Sequence, residues 1–390
     1  MTAETIFITL SSLLAWTYLV YPAAVIAVAR LQEKAGKNRA GTASGTNLPT
    51  VTVILSLYNE EKVIAKKMMS LLESDYPAGL IDFVIGSDGS TDRTDLLMTE
   101  MASADSRIRF VRSDQRRGKA AMLNHLAAMA AGEILIVTDA NVIFTTGTVR
   151  KLAEPFADPR TGICDATPHP IIEINSGITR QENLYSRFET ALKRAEGDLW
   201  GAMPGPYGGC YAVRRHLFPP LPENILVDDL YAGLSVLKQK FRLFNIREAI
   251  VYEDTQPDIF VQFRRRTRIA AGSFQNLFHF GPFPSRKISV NFAFVSHKIL
   301  RWLTPFLMIL LFMTTVILSG RSDFYFCLTA FQLIFIFLSA LDLALDRQGK
   351  KVRYQRYVTQ FLLMNAALAA GFVRAVRGIE NGIWEPTKRV

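Results

Sequence analysis

Four long apolar runs divide the chain. Thr5 to Ala29 carries no charge, Ile299 to Leu318 carries only Arg301, and Phe324 to Leu341 and Tyr357 to Val373 carry none. Each is near the length that crosses roughly 30 Å of hydrocarbon at about 1.5 Å per residue. Between the first and second runs the pattern is different. Val51–Leu57, Ile81–Ile85, Ile108–Val111 and Ile134–Val137 are short apolar stretches that read as buried strands. Helical spacing follows over Glu61–Ser74, from about Asp92, and over Lys119–Ala131. Strands alternating with helices of this length predict parallel βαβ units in a doubly wound α/β sheet. Right-handed crossovers bring the strand ends to one edge. Those ends read Tyr58-Asn59-Glu60, Ser87-Asp88-Gly89-Ser90, Ser113-Asp114 and Thr138-Asp139.

After Pro155 a long helix is predicted over about Ile178–Gly197, then a glycine-rich loop ending in Gly208-Gly209, and a strand over Cys210–Val213. An acidic helix start at Asp228-Asp229 and a final strand pair ending at Glu253-Asp254 complete this half. The expected organisation is an anchor over 1–30, a linker over 31–47 and the α/β domain over 48–255. An amphipathic interface segment over 256–298, about three spans over 299–376 and a tail over 377–390 follow.

The 390 residues are 49% hydrophobic, with a mean hydropathy of +0.15, as the apolar runs require. The net charge of +10 is local. No acidic residue occurs from Ile259 to Ser322, where Arg264, Arg265, Arg266, Arg268, Arg286, Lys287, Lys298 and Arg301 fall. Arg347, Lys350, Lys351, Arg353 and Arg356 form a second cluster. Both flank apolar runs, so they read as the positive-inside signal with attraction to anionic lipid. An integral protein of a bacterial inner membrane with a cytoplasmic main domain is expected. Nucleic acid is not an expected partner, because no soluble basic face carries interleaved aromatics. Three spans would put the tail outside, whereas Trp384-Glu385-Pro386-Thr387-Lys388-Arg389 suits a cytoplasmic interface. A last segment that lies in the interface or re-enters reconciles the two. Cys164, Cys210 and Cys327 have neither metal spacing nor pairing logic, which fits a reduced compartment.

The candidate chemistry lies at the sheet edge. No G-x-G-x-x-G follows the first strand, and Gly118-Lys119 lacks the Ser/Thr and the earlier glycine of a P-loop, so dinucleotide and NTPase sites are disfavoured. Asp139 ends a buried strand, where a carboxylate can hold a divalent cation against phosphate oxygens. Asp88 can accept from a ring N–H of a base, with Tyr58 placed to stack on it. Arg117-Gly118-Lys119 opens a helix with cations, against the preference of helix N-termini for anions. That misfit suggests cations facing a pyrophosphate. Asp228-Asp229 supplies one carboxylate more than a cap needs, so one of them can be a general base. Gln262 and the arginines after it can clamp a diphosphate leaving group.

The ordered set Tyr58-Asn59-Glu60, Asp88-Gly-Ser-Thr-Asp92, Gly118-Lys119-Ala120, Thr138-Asp139-Ala-Asn141, Gly208-Gly209, Asp228-Asp229 and Gln262-x-x-Arg265 resembles the membrane-bound family 2 glycosyltransferases. These include bacterial cellulose, hyaluronan, poly-N-acetylglucosamine and chitin-oligosaccharide synthases. The resemblance covers roughly residues 48–280. It implies a GT-A fold, a mixed doubly wound sheet with flanking transmembrane helices, a nucleotide-sugar donor (usually UDP), Mg²⁺ or Mn²⁺, and inversion at the anomeric carbon. By position, Tyr58, Glu60, Asp88, Lys119, Asp139, Gln262 and Arg265 would contact the donor, and Asp139 with Asn141 the metal. Asp229 would be the base, and Gly208, Gly209, Asp228 and Arg266 would face the acceptor.

Two departures stand out. The D-x-D element is Asp139-Ala-Asn141, with one carboxylate fewer, and Arg266 replaces the tryptophan of Q-x-x-R-W. The second departure and the few spans weaken a processive reading. The expected function is transfer to a saccharide acceptor in exopolysaccharide or oligosaccharide synthesis, with export or assembly proteins as partners. The alternative is transfer of one or few sugars to a membrane lipid. A non-catalytic assembly subunit is disfavoured by the intact Asp88, Asp139 and Asp229.

Overall fold

A computed structural model describes residues 2–35, 47–171, 177–253, 258–347 and 355–383. Most of the expected linker, Asp254, the cations Lys350, Lys351 and Arg353, and Trp384–Arg389 lie outside the described residues. The chain begins with α1 (Ala3–Ala15) and α2 (Tyr21–Lys34), joined through a π-turn at Trp16–Val20 into one rod. The α/β unit follows as β1 (Val51–Leu57), α3 (Ile64–Leu72), β2 (Ile81–Asp88), α4 (Thr94–Ala104), β3 (Ile108–Ser113), α5 (Lys119–Met129), β4 (Ile134–Thr138), β5 (Ile143–Phe144) and α6 (Thr148–Ala153). Then come β6 (Thr161–Pro170), α7 (Gly177–Trp200), β7 (Cys210–Arg214), α8 (Asp228–Lys238), β8 (Arg242–Glu253) and α9 (Ile259–Phe280). Four helices close the described chain: α10 (Ile288–Ala293), α11 (Leu300–Leu318), α12 (Asp323–Arg347) and α13 (Gln355–Arg377).

The eight strands form one sheet in the order β3-β2-β1-β4-β7-β6-β8-β5. The first four run parallel, as the alternating pattern predicts. β7 runs antiparallel to both β4 and β6, which makes the sheet mixed. The apolar runs of β1 and β4 are buried on both faces, because helices cover the sheet on both sides. Ile64, Met68 and Leu152 pack on one face, and Met122, Leu123 and Leu234 on the other.

The second half corrects the expected strand pair. Residues 242–253 form one strand, β8, pairing in parallel with β6. Asp165 pairs with Asn245 and Thr167 with Ile250, so four residues of β8 (246–249) oppose one of β6 (Ala166). The surplus bulges outward with Arg247 and Glu248 exposed, and that polar interruption mimics a hairpin turn in sequence. β6 itself gave no strand signal, because Asp165, Thr167, Pro168 and Pro170 interrupt its apolar positions.

Among the described residues, four helical stretches are long and apolar enough to cross a membrane: Ala3–Lys34, Ile288–Leu318, Asp323–Asp346 and Arg356–Arg377. The core that holds α5 and α8 continues into them through Phe274, Phe294 and Trp302. Each such buried aromatic contributes roughly 1.5–3 kcal/mol, so the α/β unit and the helices are one packed body. α13 does not stand apart. Its Phe372 ring lies 5.1 Å from that of Phe274 in α9, and Phe361 lies 6.0 Å from Tyr18. Past α13 the chain returns to the α/β unit, where Asn224 Nδ2 donates to the Ile379 carbonyl at 2.9 Å.

Candidate active site

The strand ends open on one cavity of about 1790 Å³. Tyr58, Glu60, Asp88, Lys119, Asp139, Asn141, Gly208, Gly209, Asp228, Asp229, Arg265 and Arg266 all line it. Gln262 does not; it is 2% exposed, behind the wall formed by α9. The end of β3 is also elsewhere, since Asp114 faces solvent and pairs with Arg112. Twelve lysines and arginines line the cavity against seven carboxylates, an excess that suits a polyanionic ligand.

Lys119 is the electrostatic centre. Its Nζ lies 3.0 Å from Asp139 Oδ1 and 3.4 Å from Asp228 Oδ2. Burial opposes its charge, but Asp139 and Asp228 outweigh burial and hold the ammonium above its usual range. Lys119 is delivered there by the turn at Gly118, whose φ of +95° disfavours any side chain. Asp88 fixes the same turn, accepting from the backbone N–H groups of Arg117 and Gly118, both at 2.8 Å. Arg117 departs from the expectation of a cation facing pyrophosphate. Its side chain turns outward to Glu223, because Asp88 holds its backbone N–H inward. Arg116 takes the inward place, with its guanidinium 3.7 Å above the Tyr58 ring.

Asp229 faces the glycine loop. A Cβ on Gly208 would lie 2.8 Å from Asp229 Oδ2, so only glycine lets this carboxylate approach. Burial, then the neighbouring Asp228, raises the Asp229 carboxyl to about 6, while Lys119 pulls the other way. The loop is held from below by Asp165, which is fully buried. Asp165 accepts from the Tyr207 backbone N–H at 2.6 Å, from Lys193 Nζ at 2.8 Å and from Asn245 Nδ2 at 2.8 Å.

Asn141 Nδ2 donates to Glu253 Oε1 at 3.2 Å, and Glu253 also accepts from the Tyr207 hydroxyl and pairs with Arg265 at 3.5 Å. Glu253 therefore ties the Asp139–Asn141 loop to α9. The sequence marked it only as a strand end. Lys67 carried no signal, being one of two lysines on an amphipathic helix. It is fully buried beneath the same loop, donating to Thr138 Oγ1 at 2.9 Å and to the Val142 carbonyl at 2.5 Å. Burial pushes its amine down to about 7.

The donor set fits a hard divalent cation in part. Asp139 offers a carboxylate and Asn141 an amide oxygen, and Mg²⁺ is usually bound by one or two carboxylates completed by substrate phosphates and water. No cluster of three His, Cys, Asp or Glu capable of holding a metal occurs among the described residues. The protein's share is thus a partial set that a diphosphate would complete.

Residues 52–219 match the family model described as Glycosyl transferase family 2. Similar proteins include the beta-monoglucosyldiacylglycerol synthase of Synechocystis sp., 30% identical over 60% of this chain and 50% of its own length. That of Nostoc sp. is 24% identical over 59% of this chain and 50% of its own length. The N-acetylglucosaminyltransferase of Rhizobium meliloti is 24% identical over 67% of this chain and 60% of its own. The chain therefore spans half the length of the first two relatives. Mannosyltransferase PcManGT from Pyrobaculum calidifontis, solved in complex with GDP-Man and Mn²⁺, superposes with a TM-score of 0.74 at 23% identity. That match covers 96% of this chain and 99% of the other, and it extends the likeness of fold over the flanking helices. Residues 52–219 thus match the Glycosyl transferase family 2 model, within a mixed α/β sheet of the GT-A fold flanked by apolar helices.

Proposed function

We propose that the protein is an inverting glycosyltransferase that moves a sugar from a nucleoside-diphosphate sugar to a hydroxyl of a membrane lipid. The observation that carries the acceptor class is the extent of the cavity. It runs from Asp139 and Asp229 to Tyr18, Phe361, Met364 and Leu368 on the apolar helices. A water-soluble saccharide does not require such a wall. The beta-monoglucosyldiacylglycerol synthases among the relatives support this reading. The N-acetylglucosaminyltransferases support the other, a saccharide acceptor.

In this reading Tyr58 and Arg116 flank the base, with Asp88 beside them, and Glu60 lines the donor side. Asp229 takes the proton of the acceptor hydroxyl as that oxygen bonds to the anomeric carbon. The bond from that carbon to the diphosphate breaks in the same step, which inverts the centre. Lys119 and Arg265 stabilise the departing charge, and Gln262 backs Arg265 from within α9. Asp139 and Asn141 would hold Mg²⁺ or Mn²⁺, which supplies Lewis-acid stabilisation of a leaving diphosphate. Gly208, Gly209, Asp228 and Arg266 border the acceptor, and Arg266 lies over the Tyr185 ring at 5.4 Å.

The catalytic unit faces the cytoplasm by the positive-inside rule. With α11 leaving that side and α12 returning, α13 both starts and ends there, since Ile379 touches the α/β unit. α13 therefore lies along the membrane surface on α9. The test supplies purified protein in vesicles with labelled UDP- and GDP-sugars. A labelled lipid product supports the proposal; product only on soluble saccharides overturns the lipid acceptor.

A further inference from the structure

The catalytic cavity has a polar corner at its membrane end. Arg301 is 8% exposed and Asn365 6% exposed, and both line the cavity together with Gln360. Arg301 Nη1 donates to Glu189 Oε2 at 2.5 Å and to the Tyr185 hydroxyl at 3.3 Å, which fixes the guanidinium. Its Nε–H has no hydrogen-bond partner among the described residues. Asn365 Nδ2 donates to the Phe361 carbonyl at 2.9 Å, which orients the amide and leaves Oδ1 unmet. Gln360 Oε1 is buried and unmet as well. Tyr18 links the two helices that carry these groups. Its hydroxyl donates to Thr304 Oγ1 of α11 at 3.1 Å, three residues past Arg301. Its ring packs on Phe361 of α13, next to Gln360 and one turn before Asn365.

A buried donor or acceptor left unmet is costly and rare. One donor and two acceptors unmet on the walls of one cavity point to a bound group that both accepts and donates. A hydroxyl does both, whereas an ester carbonyl or a phosphate diester donates nothing. Nor does the corner require an anion. Glu189 already faces Arg301, Lys298 Nζ at 2.5 Å and His297 Nε2 at 3.1 Å. We infer that this corner binds the headgroup of the lipid acceptor, and that the headgroup is a polyol, a sugar or glycerol with hydroxyls beyond the one glycosylated. The same cavity holds Asp229. The headgroup therefore presents one hydroxyl to that carboxylate and others to Arg301 Nε, Gln360 Oε1 and Asn365 Oδ1. With α13 along the membrane surface, the corner lies at the level where a lipid carries its headgroup. The inference rests on the lipid-acceptor reading and narrows it. Diacylglycerol, whose single hydroxyl must be the nucleophile, would leave the corner unmet.

The full chain in vesicles tests it with labelled UDP- and GDP-sugars and two acceptors of the same acyl chains, diacylglycerol and monoglucosyldiacylglycerol. The kcat/KM for the glucosylated lipid should exceed that for diacylglycerol at least about tenfold, the scale of one or two hydrogen bonds. Gln360→Met and Asn365→Leu remove the two acceptor oxygens at similar volume. Each should narrow that preference by about three- to tenfold. Neither should lower the thermal midpoint of the acceptor-free protein, because an unmet buried polar atom is exchanged for an apolar one. A lower midpoint with the preference unchanged assigns the amides to the fold, through bound water, and overturns the inference. Equal use of the two lipids by the unaltered protein overturns it too. If neither lipid is glycosylated while soluble saccharides are, the lipid-acceptor reading itself falls.

Discussion

Lys119 Nζ lies 3.0 Å from Asp139 Oδ1, so the carboxylate at the tip of β4 already faces a cation supplied by the protein. Lys119 neutralises part of an acidic pocket, and in the proposed mechanism it meets the diphosphate. Lys119→Met leaves Asp139, Asp228 and Asp229 uncompensated. Sugar transfer should fall by about 10² or more, the usual scale for losing a preorganised electrostatic group. Single-turnover kinetics on saturated enzyme check this; a rate within twofold of the unaltered protein would exclude the role.

Asp229→Asn keeps the shape and removes the proposed base. Transfer should drop by about 10²–10⁴, whereas nucleoside-diphosphate affinity, read by calorimetry, should stay within about twofold. A parallel loss of both would assign Asp229 to donor binding instead.

The raised Asp229 carboxyl sets the pH response. A base with its pKa at about 6 works deprotonated, so kcat/KM should rise tenfold per unit below that value and level off above it. Asp228 contributes to the elevation, so Asp228→Asn should move this limb to lower pH. A limb that shifts upward in Asp228→Asn contradicts the assignment.

Asn141→Asp restores a second carboxylate beside Asp139 and places it against Glu253, its present hydrogen-bond acceptor. Mn²⁺ affinity in the presence of UDP or GDP, measured by electron paramagnetic resonance, should increase by about tenfold. Glu253→Gln in that background should raise it further by relieving like-charge repulsion. No change in either variant would place the cation away from this loop.

Asp165→Ala strands Lys193 and frees the Tyr207 backbone N–H. Removing one partner of a buried ion pair costs about 3–5 kcal/mol, so the thermal midpoint should fall on the order of 10 °C. Asp165→Asn, which keeps the acceptor oxygen, should recover part of the loss.

What the sequence made legible follows from how each signal arises. β1 and β4 were readable because buried parallel strands are continuous apolar runs, and β2 and β3 because short apolar stretches survive around Asp82 and Arg109. The carboxylates at their tips were readable because Asp88 and Asp139 follow such runs directly. β6 was missed because Asp165 and Thr167 form a buried polar network, and a polar strand looks like a loop. Lys67 and Glu253 were invisible as site residues for a related reason. Their significance comes from burial beneath, and contact across, segments far apart in the chain. Arg117 misled because local charge pattern does not say which of two adjacent arginines turns inward; Asp88 decides that from 29 positions away.

The two outer strands of the sheet carry one more consequence. β3 presents Arg109 and Arg112, both engaged with acidic neighbours, and β5 is only two residues long. Charged or very short edges deny an incoming strand a template for backbone pairing. The α/β unit is thereby protected against sheet-to-sheet aggregation at both ends of its sheet.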